Sequence, residues 1–145
     1  MARAGGRDHP QDARIPVIVL DASAIVELLG DTARGRQVAE RLLDETVSHA
    51  PHLLDIEVMS ALRRQLSRGS LAEERARAAL ILFALLPIER HDHLPLLGRM
   101  WDLRDNFSAY DACYLALTEA LNATLLTCDS ALGSARLSRG EVEVV

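Results

Sequence analysis

The feature that most constrains this fold is Val17-Ile18-Val19-Leu20-Asp21, four branched apolar residues running without alternation into an acid. A strand with one face in water alternates apolar and polar side chains. An unbroken apolar run suits a strand buried on both faces, as in a parallel sheet covered by helices. An amphipathic segment over 24–29 follows at once, so Asp21 stands at a strand-to-helix junction. In open α/β sheets ligands bind at the carboxyl ends of such strands. Asp21 equally suits the N-cap of the next helix. Both readings fit the junction taken alone.

The remaining elements alternate in the same way. Strand signals cover 16–20, 46–50, 87–90, 123–127 and 142–145. Helical periodicity covers 22–29, a segment opened by Asp31-Thr32 with Val38, Ala39, Leu42 and Leu43 at helical spacing, and the long stretch from Pro51 to Arg68 closed by Gly69. Ser70-Leu71-Ala72-Glu73 has the form of a capping box and predicts a further helix to about Leu85. Helices over 95–103 and 108–121, the latter closed by Asn122, and a short one over 130–136 complete the set. Strands alternating with helices predict one three-layer α/β/α sandwich around a short parallel sheet, with the first strand central. Residues 1–15 are polar and aperiodic and are expected to form a disordered extension; the folded domain is expected over 16–145.

Composition removes several function classes. Hydrophobic residues make up 49% of the 145 but aromatics only 3%, so the core is built from Leu, Val, Ile and Ala. No apolar run is long enough to cross a membrane, and residues 1–14 contain no apolar stretch of the signal-peptide kind. Cys113 and Cys128 lack metal-ligand spacing and read as buried free thiols, which suits a reducing cytoplasm. The net charge of −5 does not mark a nucleic-acid binder by bulk charge. All sixteen basic residues are Arg, so no mechanism that needs a P-loop, Schiff-base or receiver-domain lysine is open to this chain. The five histidines form no site by spacing; His91 and His93 are the one pair that could chelate from a strand.

Among the 21 acids, four keep unusual company. Asp21 and Asp129 each follow a buried-looking strand and open a helix beside small residues. Asp111 lies in Ser108-Ala109-Tyr110-Asp111, a capping box at the start of an otherwise apolar helix. In the 51–68 helix the apolar stripe is Leu54, Val58, Ala61, Leu62 and Leu66. Glu57 and Asp55 both border it, and periodicity does not choose between them.

Four segments together carry a resemblance: VLDASAIVELL at 19–29, PHLLDIEVMSALRR at 51–64, NFSAYDACYLALTEAL at 106–121 and ATLLTCDSAL at 123–132. In this order they resemble the successive motifs of PIN-domain ribonucleases, and most closely the VapC toxins of toxin–antitoxin pairs. The resemblance runs from residue 17 to the end. It implies a PIN-like sheet with the first strand central, and it implies that Asp21, Glu57, Asp111 and Asp129 are the metal-binding and catalytic acids, which selects Glu57 over Asp55. Ser23 matches a small hydroxyl residue supporting that metal site. Ser60 and Ser108 depart from the family pattern, standing where Asn and Thr are frequent.

Clustered carboxylates repel one another, and a hard divalent cation resolves the conflict; Mg²⁺ suits such oxygen ligands, and Mn²⁺ accepts the same set. The implied activity is Mg²⁺-dependent endoribonuclease action, by metal-activated water, as the toxin of a toxin–antitoxin pair. The implied partners are an RNA substrate, a VapB-type antitoxin and a second copy of the chain, in the cytoplasm. Arg63, Arg64, Arg68 and Arg104 are candidates for substrate contact. Two rival readings remain: a catalytically idle PIN scaffold that binds a partner protein, and a haloacid-dehalogenase-like phosphatase. The latter wants a second acid two residues after the first, where this chain has Ser23. A Rossmann domain lacks its Gly-x-Gly-x-x-Gly.

Overall fold

The computed structural model describes residues 16–44 and 47–145; the expected extension over 1–15 lies outside them. Among the described residues, β1 (Ile18–Leu20), β2 (Ser48–Pro51), β3 (Ile88–His91), β4 (Thr124–Thr127) and β5 (Glu141–Val144) form one parallel sheet in the order β3-β2-β1-β4-β5. The central position of β1 is explained by its side chains. Ile18, Val19 and Leu20 are almost completely buried and pair in register with Thr124, Leu125 and Leu126 of β4. The chain builds outward from β1 to β2 and β3, then crosses to β4 on the other side. The carboxyl ends of β1 and β4 therefore flank a topological switch point.

Among the described residues six α-helices cover the sheet: α1 (Ala22–Leu29), α2 (Ala33–Arg41), α3 (Leu53–Ser67), α4 (Glu73–Leu85), α5 (Leu97–Asp102) and α6 (Ala109–Leu121). Helices α2, α3 and α4 pack around α1, whereas α5 packs on α6, and α6 lies over β1, β2 and β4. Every residue from Ala112 to Glu119 is buried, so α6 is apolar around most of its circumference, as a central helix must be. It ends where expected, at Asn122 in the left-handed conformation (φ 49°). No described helix is long and apolar enough to cross a membrane.

Local expectations fail where tertiary pairing or a different cap wins. Pro51 does not start a helix. It is the last residue of β2, and the ladder to β3 continues through His52, whose N–H donates to the His91 carbonyl at 3.1 Å. Ser70 does not cap α4 either. Gly69 (φ 73°) and Ser70 close α3 in a Schellman motif, with Gly69 N–H on the Leu66 carbonyl and Ser70 N–H on that of Gln65, both 3.0 Å. The Ser70 hydroxyl is spent on the same Gln65 carbonyl, and α4 begins at Ala72 without a side-chain cap. The segments over 94–96 and 130–134 are 3₁₀ turns. Leu43, expected on an apolar face, is exposed beyond the end of α2.

One partly buried ion pair ties α6 to its neighbours. Glu119 is 7% exposed and accepts from Arg99 of α5 at 2.6 and 2.9 Å, and from the Ser138 N–H at 2.9 Å. It therefore ties α5, α6 and the segment leading to β5 at one point. The Arg99 hydrogen bonds hold its carboxyl below the usual range. A depressed folded pKa contributes stability that is full above the unfolded carboxylate range and is lost as pH falls through the folded value. Glu119→Gln is expected to destabilise the fold by about 1–2 kcal/mol at neutral pH. In urea titrations the difference from wild type should shrink as pH drops below about 4.

Candidate functional site

The site is assembled from Asp21 outward. Asp21 follows β1 and serves as N-cap of α1, and only 5% of it is exposed. Its Oδ1 accepts from the Ala24 N–H at 3.0 Å and the Ser23 hydroxyl at 2.7 Å, and its Oδ2 accepts from the Thr127 hydroxyl at 2.5 Å. Thr127 is the pair partner of Asp21 one step beyond the Leu20–Leu126 register, so the β1–β4 ladder itself delivers that bond. The two hydroxyl oxygens also accept: Ser23 from the Cys128 N–H (2.9 Å) and Thr127 from the Asp129 N–H (3.0 Å). Each hydroxyl has a single proton, and both are committed to Asp21. Of roughly four lone-pair directions on a carboxylate, three are occupied, which leaves one on Oδ2. The N-cap and ligand readings of Asp21 are therefore compatible, because capping uses Oδ1 alone.

The other three acids arrive from separate elements. Asp111 sits in the first turn of α6, where Ser108 accepts from its N–H at 3.1 Å. Asp129 follows β4 and caps the 3₁₀ turn through Ala131 N–H at 2.9 Å. Glu57 lies in the second turn of α3. The competing acid Asp55 is drawn away, bound by Arg90 of β3 at 2.8 and 3.1 Å. Glu57 is thus the acid of that helix which the fold turns towards the other three.

The four acids share one electrostatic neighbourhood. Asp21 senses Asp129, Asp129 raises Asp111, and Glu57 feels both Asp21 and Asp111. These pairwise repulsions link all four acids, while no three of their carboxylates bring oxygens within 4.8 Å of one another. Burial pushes the Asp21 carboxyl up most, against the lowering effect of its three hydrogen bonds and with a further push from Asp129. Burial is also the main cause of the raised Glu57 and Asp111 carboxyls. Glu57 Oε1 is buried with no hydrogen-bond partner, and so is the Tyr114 hydroxyl. Tyr114 is close enough to lower the Glu57 carboxyl, but the two atoms miss hydrogen-bond geometry. An all-oxygen donor set, repelling charges and an orphaned carboxylate oxygen are what a hard divalent cation would complete.

A cleft of about 520 Å³ opens over the site, bounded by Ser23, Glu57 and Asp129 and by Glu27, Arg64 and Arg68. Two of the four candidate arginines, Arg64 and Arg68, thus line it. Arg104 instead lies over the Trp101 ring at 4.7 Å and donates to the Trp101 carbonyl. Thr127, Tyr114 and Glu27 were not anticipated from sequence. Only Thr127 left a signal, two residues before Asp129 on a strand whose partner could be guessed. Both thiols are free and buried, and burial pushes Cys113 up to about 11, so neither offers a nucleophile at neutral pH.

Comparison with known proteins agrees with this architecture. The PIN domain family model matches residues 18–136. Ribonuclease VapC1 of Mycobacterium tuberculosis is 44% identical over 128 residues, spanning 88% of this chain and 96% of that protein. Ribonuclease VapC12 of the same organism is 39% identical over 129 residues, spanning 89% and 99%. The chain belongs to the PIN-domain family, within its VapC ribonuclease branch. The crystal structure of VapBC2 from Rickettsia felis, bound to a DNA fragment from their promoter, shares the fold with a TM-score of 0.62 at 17% identity over 89% of this chain and 98% of that one.

The raised carboxyls fix the sign of a pH effect. An acid whose folded pKa lies above its unfolded value destabilises the fold once pH rises through that window. Glu57→Gln is therefore expected to raise the melting temperature of the metal-free protein at pH 7–8. The gain should vanish below about pH 4, where the wild-type carboxyl is protonated in both states. A melting series from pH 3.5 to 8 in chelator checks it, and a lower melting temperature at pH 8 would contradict the repulsion.

Proposed function

We propose that this chain is the endoribonuclease toxin of a toxin–antitoxin pair and hydrolyses RNA phosphodiester bonds with Mg²⁺, or Mn²⁺ in its place. The observation that carries this reading is the mutual repulsion of four acids from four separate elements, three of them with raised carboxyls, beside a buried Glu57 oxygen that has no hydrogen-bond partner. Asp21 and Asp111 are the principal ligands, and Glu57 and Asp129 complete the site directly or through water. A divalent cation held by these acids would offset their charge and supply Lewis acidity for the hydrolysis. The chain's own groups do the rest. Ser23 and Thr127 lock the Asp21 carboxylate so that its free Oδ2 lone pair points one way. Glu57, with its carboxyl raised, holds a proton-accepting oxygen in the cleft and orients the attacking water. Arg64 and Arg68 draw in the phosphate backbone from the cleft wall. The N-terminal turns of α1 and α6 favour the same negative charge.

The partner reading rests on two surfaces. A groove between α1, α3 and α4 meets the active-site cleft along Val26, Glu27 and Gln65, and exposes Leu82 at its rim. It suits a small VapB-type antitoxin that reaches the acids with a basic side chain. Ile56, Met59, Leu97, Trp101 and Tyr110 are large exposed apolar residues on α3, α5 and α6, an area that suits pairing with a second copy. The proposed RNA substrate supports a cytoplasmic site of action.

Asp21→Asn is expected to keep the fold and lose at least about 10³-fold in metal-dependent cleavage, a loss comparable with removing a principal electrostatic group. Mapping new 5′ ends in total RNA with wild type, Asp21→Asn and wild type in chelator reads this out. Undiminished cleavage by Asp21→Asn sinks the assignment, and absence of Mg²⁺ or Mn²⁺ binding by wild type favours an idle scaffold. Arg64→Ala with Arg68→Ala should raise KM and flatten the salt dependence of cleavage, by about one unit of log–log slope per lost phosphate contact. An unchanged slope would remove both from the substrate path.

A further inference from the structure

A second cluster lies on the sheet away from the four acids. Parallel pairing of β2 and β3 sets His49 opposite Glu89, and His91 lies two residues further along β3. Side chains two apart on a strand share a face, so the three project together. The alternate residue Arg90 points the other way, to Asp55 of α3. His49 Nδ1 and His91 Nε2 are 2.9 Å apart. Glu89 offers one carboxylate oxygen to each ring, 3.9 Å from His49 Nδ1 and 3.9 Å from His91 Nε2. Among the described residues this is the one group of three such side chains whose donor atoms all lie within 4.8 Å of one another. His93, the sequence neighbour expected to pair with His91, is not part of it.

The geometry points to a transition-metal site: we propose that His49 Nδ1, His91 Nε2 and the Glu89 carboxylate bind one Zn²⁺, with the remaining positions filled by water. Two imidazoles and a carboxylate are a ligand set that Zn²⁺ takes readily, whereas Mg²⁺ prefers oxygen alone. In a tetrahedral site with Zn–N near 2.0–2.1 Å the two nitrogens sit about 3.3 Å apart, so the rings need separate by only a few tenths of an ångström. Both imidazoles are mostly shielded, with side chains 19% and 22% exposed, while Glu89 at 61% leaves an entry path. The two ring nitrogens share a hydrogen bond without metal, and the ion would take the place of its proton between them. The ion would strap the edge strand β3 to β2. This binding is independent of RNA cleavage and of the four acids.

The test uses the full chain, purified in chelator and then exchanged into Mg²⁺-containing buffer. Zn²⁺ titration by calorimetry is read beside Co²⁺ substitution, whose visible absorption reports nitrogen ligation. One Zn²⁺ per chain is expected with a Kd of about 10 µM or tighter, together with a higher melting temperature. Asp21→Asn should leave it unchanged. His91→Gln and the solvent-facing Glu89→Gln should each weaken it by about 10–100-fold or more, with the melting temperature in chelator held near wild type for Glu89→Gln. The proposal is overturned if Zn²⁺ binding is weaker than about 100 µM. It is equally overturned if Asp21→Asn abolishes binding, or if Glu89→Gln and His91→Gln bind as wild type does.

Discussion

The interaction on which the site depends is the β1–β4 pairing, which sets Asp21 and Asp129 side by side at one end of the sheet. Glu57 of α3 and Asp111 of α6 add to the repulsion there. The ladder runs in register through three buried pairs and ends by placing Thr127 against Asp21. Ser23 and Ala24 grip the other oxygen. With Asp21 immobile, the α6 cap at Ser108 positions Asp111, and the turn after β4 positions Asp129. The raised carboxyls mean that ionising this cluster costs stability, a cost that binding of a cation would offset.

The scaffold separates its jobs by layer and by face. Helix α6 is buried nearly all round and is tied to α5 through Glu119 and Arg99, so the acid at its first turn inherits a rigid mount. The exposed apolar residues of α3 and α5 and the groove beside α4 lie where they do not disturb the four acids. At the far end of the sheet, period-two alternation on β3 sends Arg90 to a structural ion pair and its neighbours Glu89 and His91 to a cluster with His49. Two chemistries of different hardness thus sit on one sheet. Oxygen donors gather at its centre, and nitrogen donors at its edge.

Much of this was legible in the residues. The unbroken 17–20 run required a strand buried on both faces, and α/β alternation required a parallel sheet around it. Gly69 and Asn122 marked their helix ends because each needs a left-handed backbone that those residues accept. Where expectation failed, a local rule met a stronger distant one. Pro51 at a helix start gave way to pairing with β3, and the Ser70 hydroxyl went to the end of α3 instead of the start of α4. The choice between Glu57 and Asp55 was invisible to helical periodicity. It rests on Arg90, a residue on another strand, drawing Asp55 aside.

Sequence by itself determined the elements, the identity of the central strand and the family motifs that carry the four acids. These depend on side-chain pattern and backbone preference within a dozen residues. Only the tertiary structure decided which lone pair of Asp21 stays free, that Glu57 Oε1 is stranded without a partner, and that His91 meets His49 and not His93. Each of those facts is a contact between residues distant in the chain. They follow from strand register and helix placement, which the whole core must agree upon before any one of them exists.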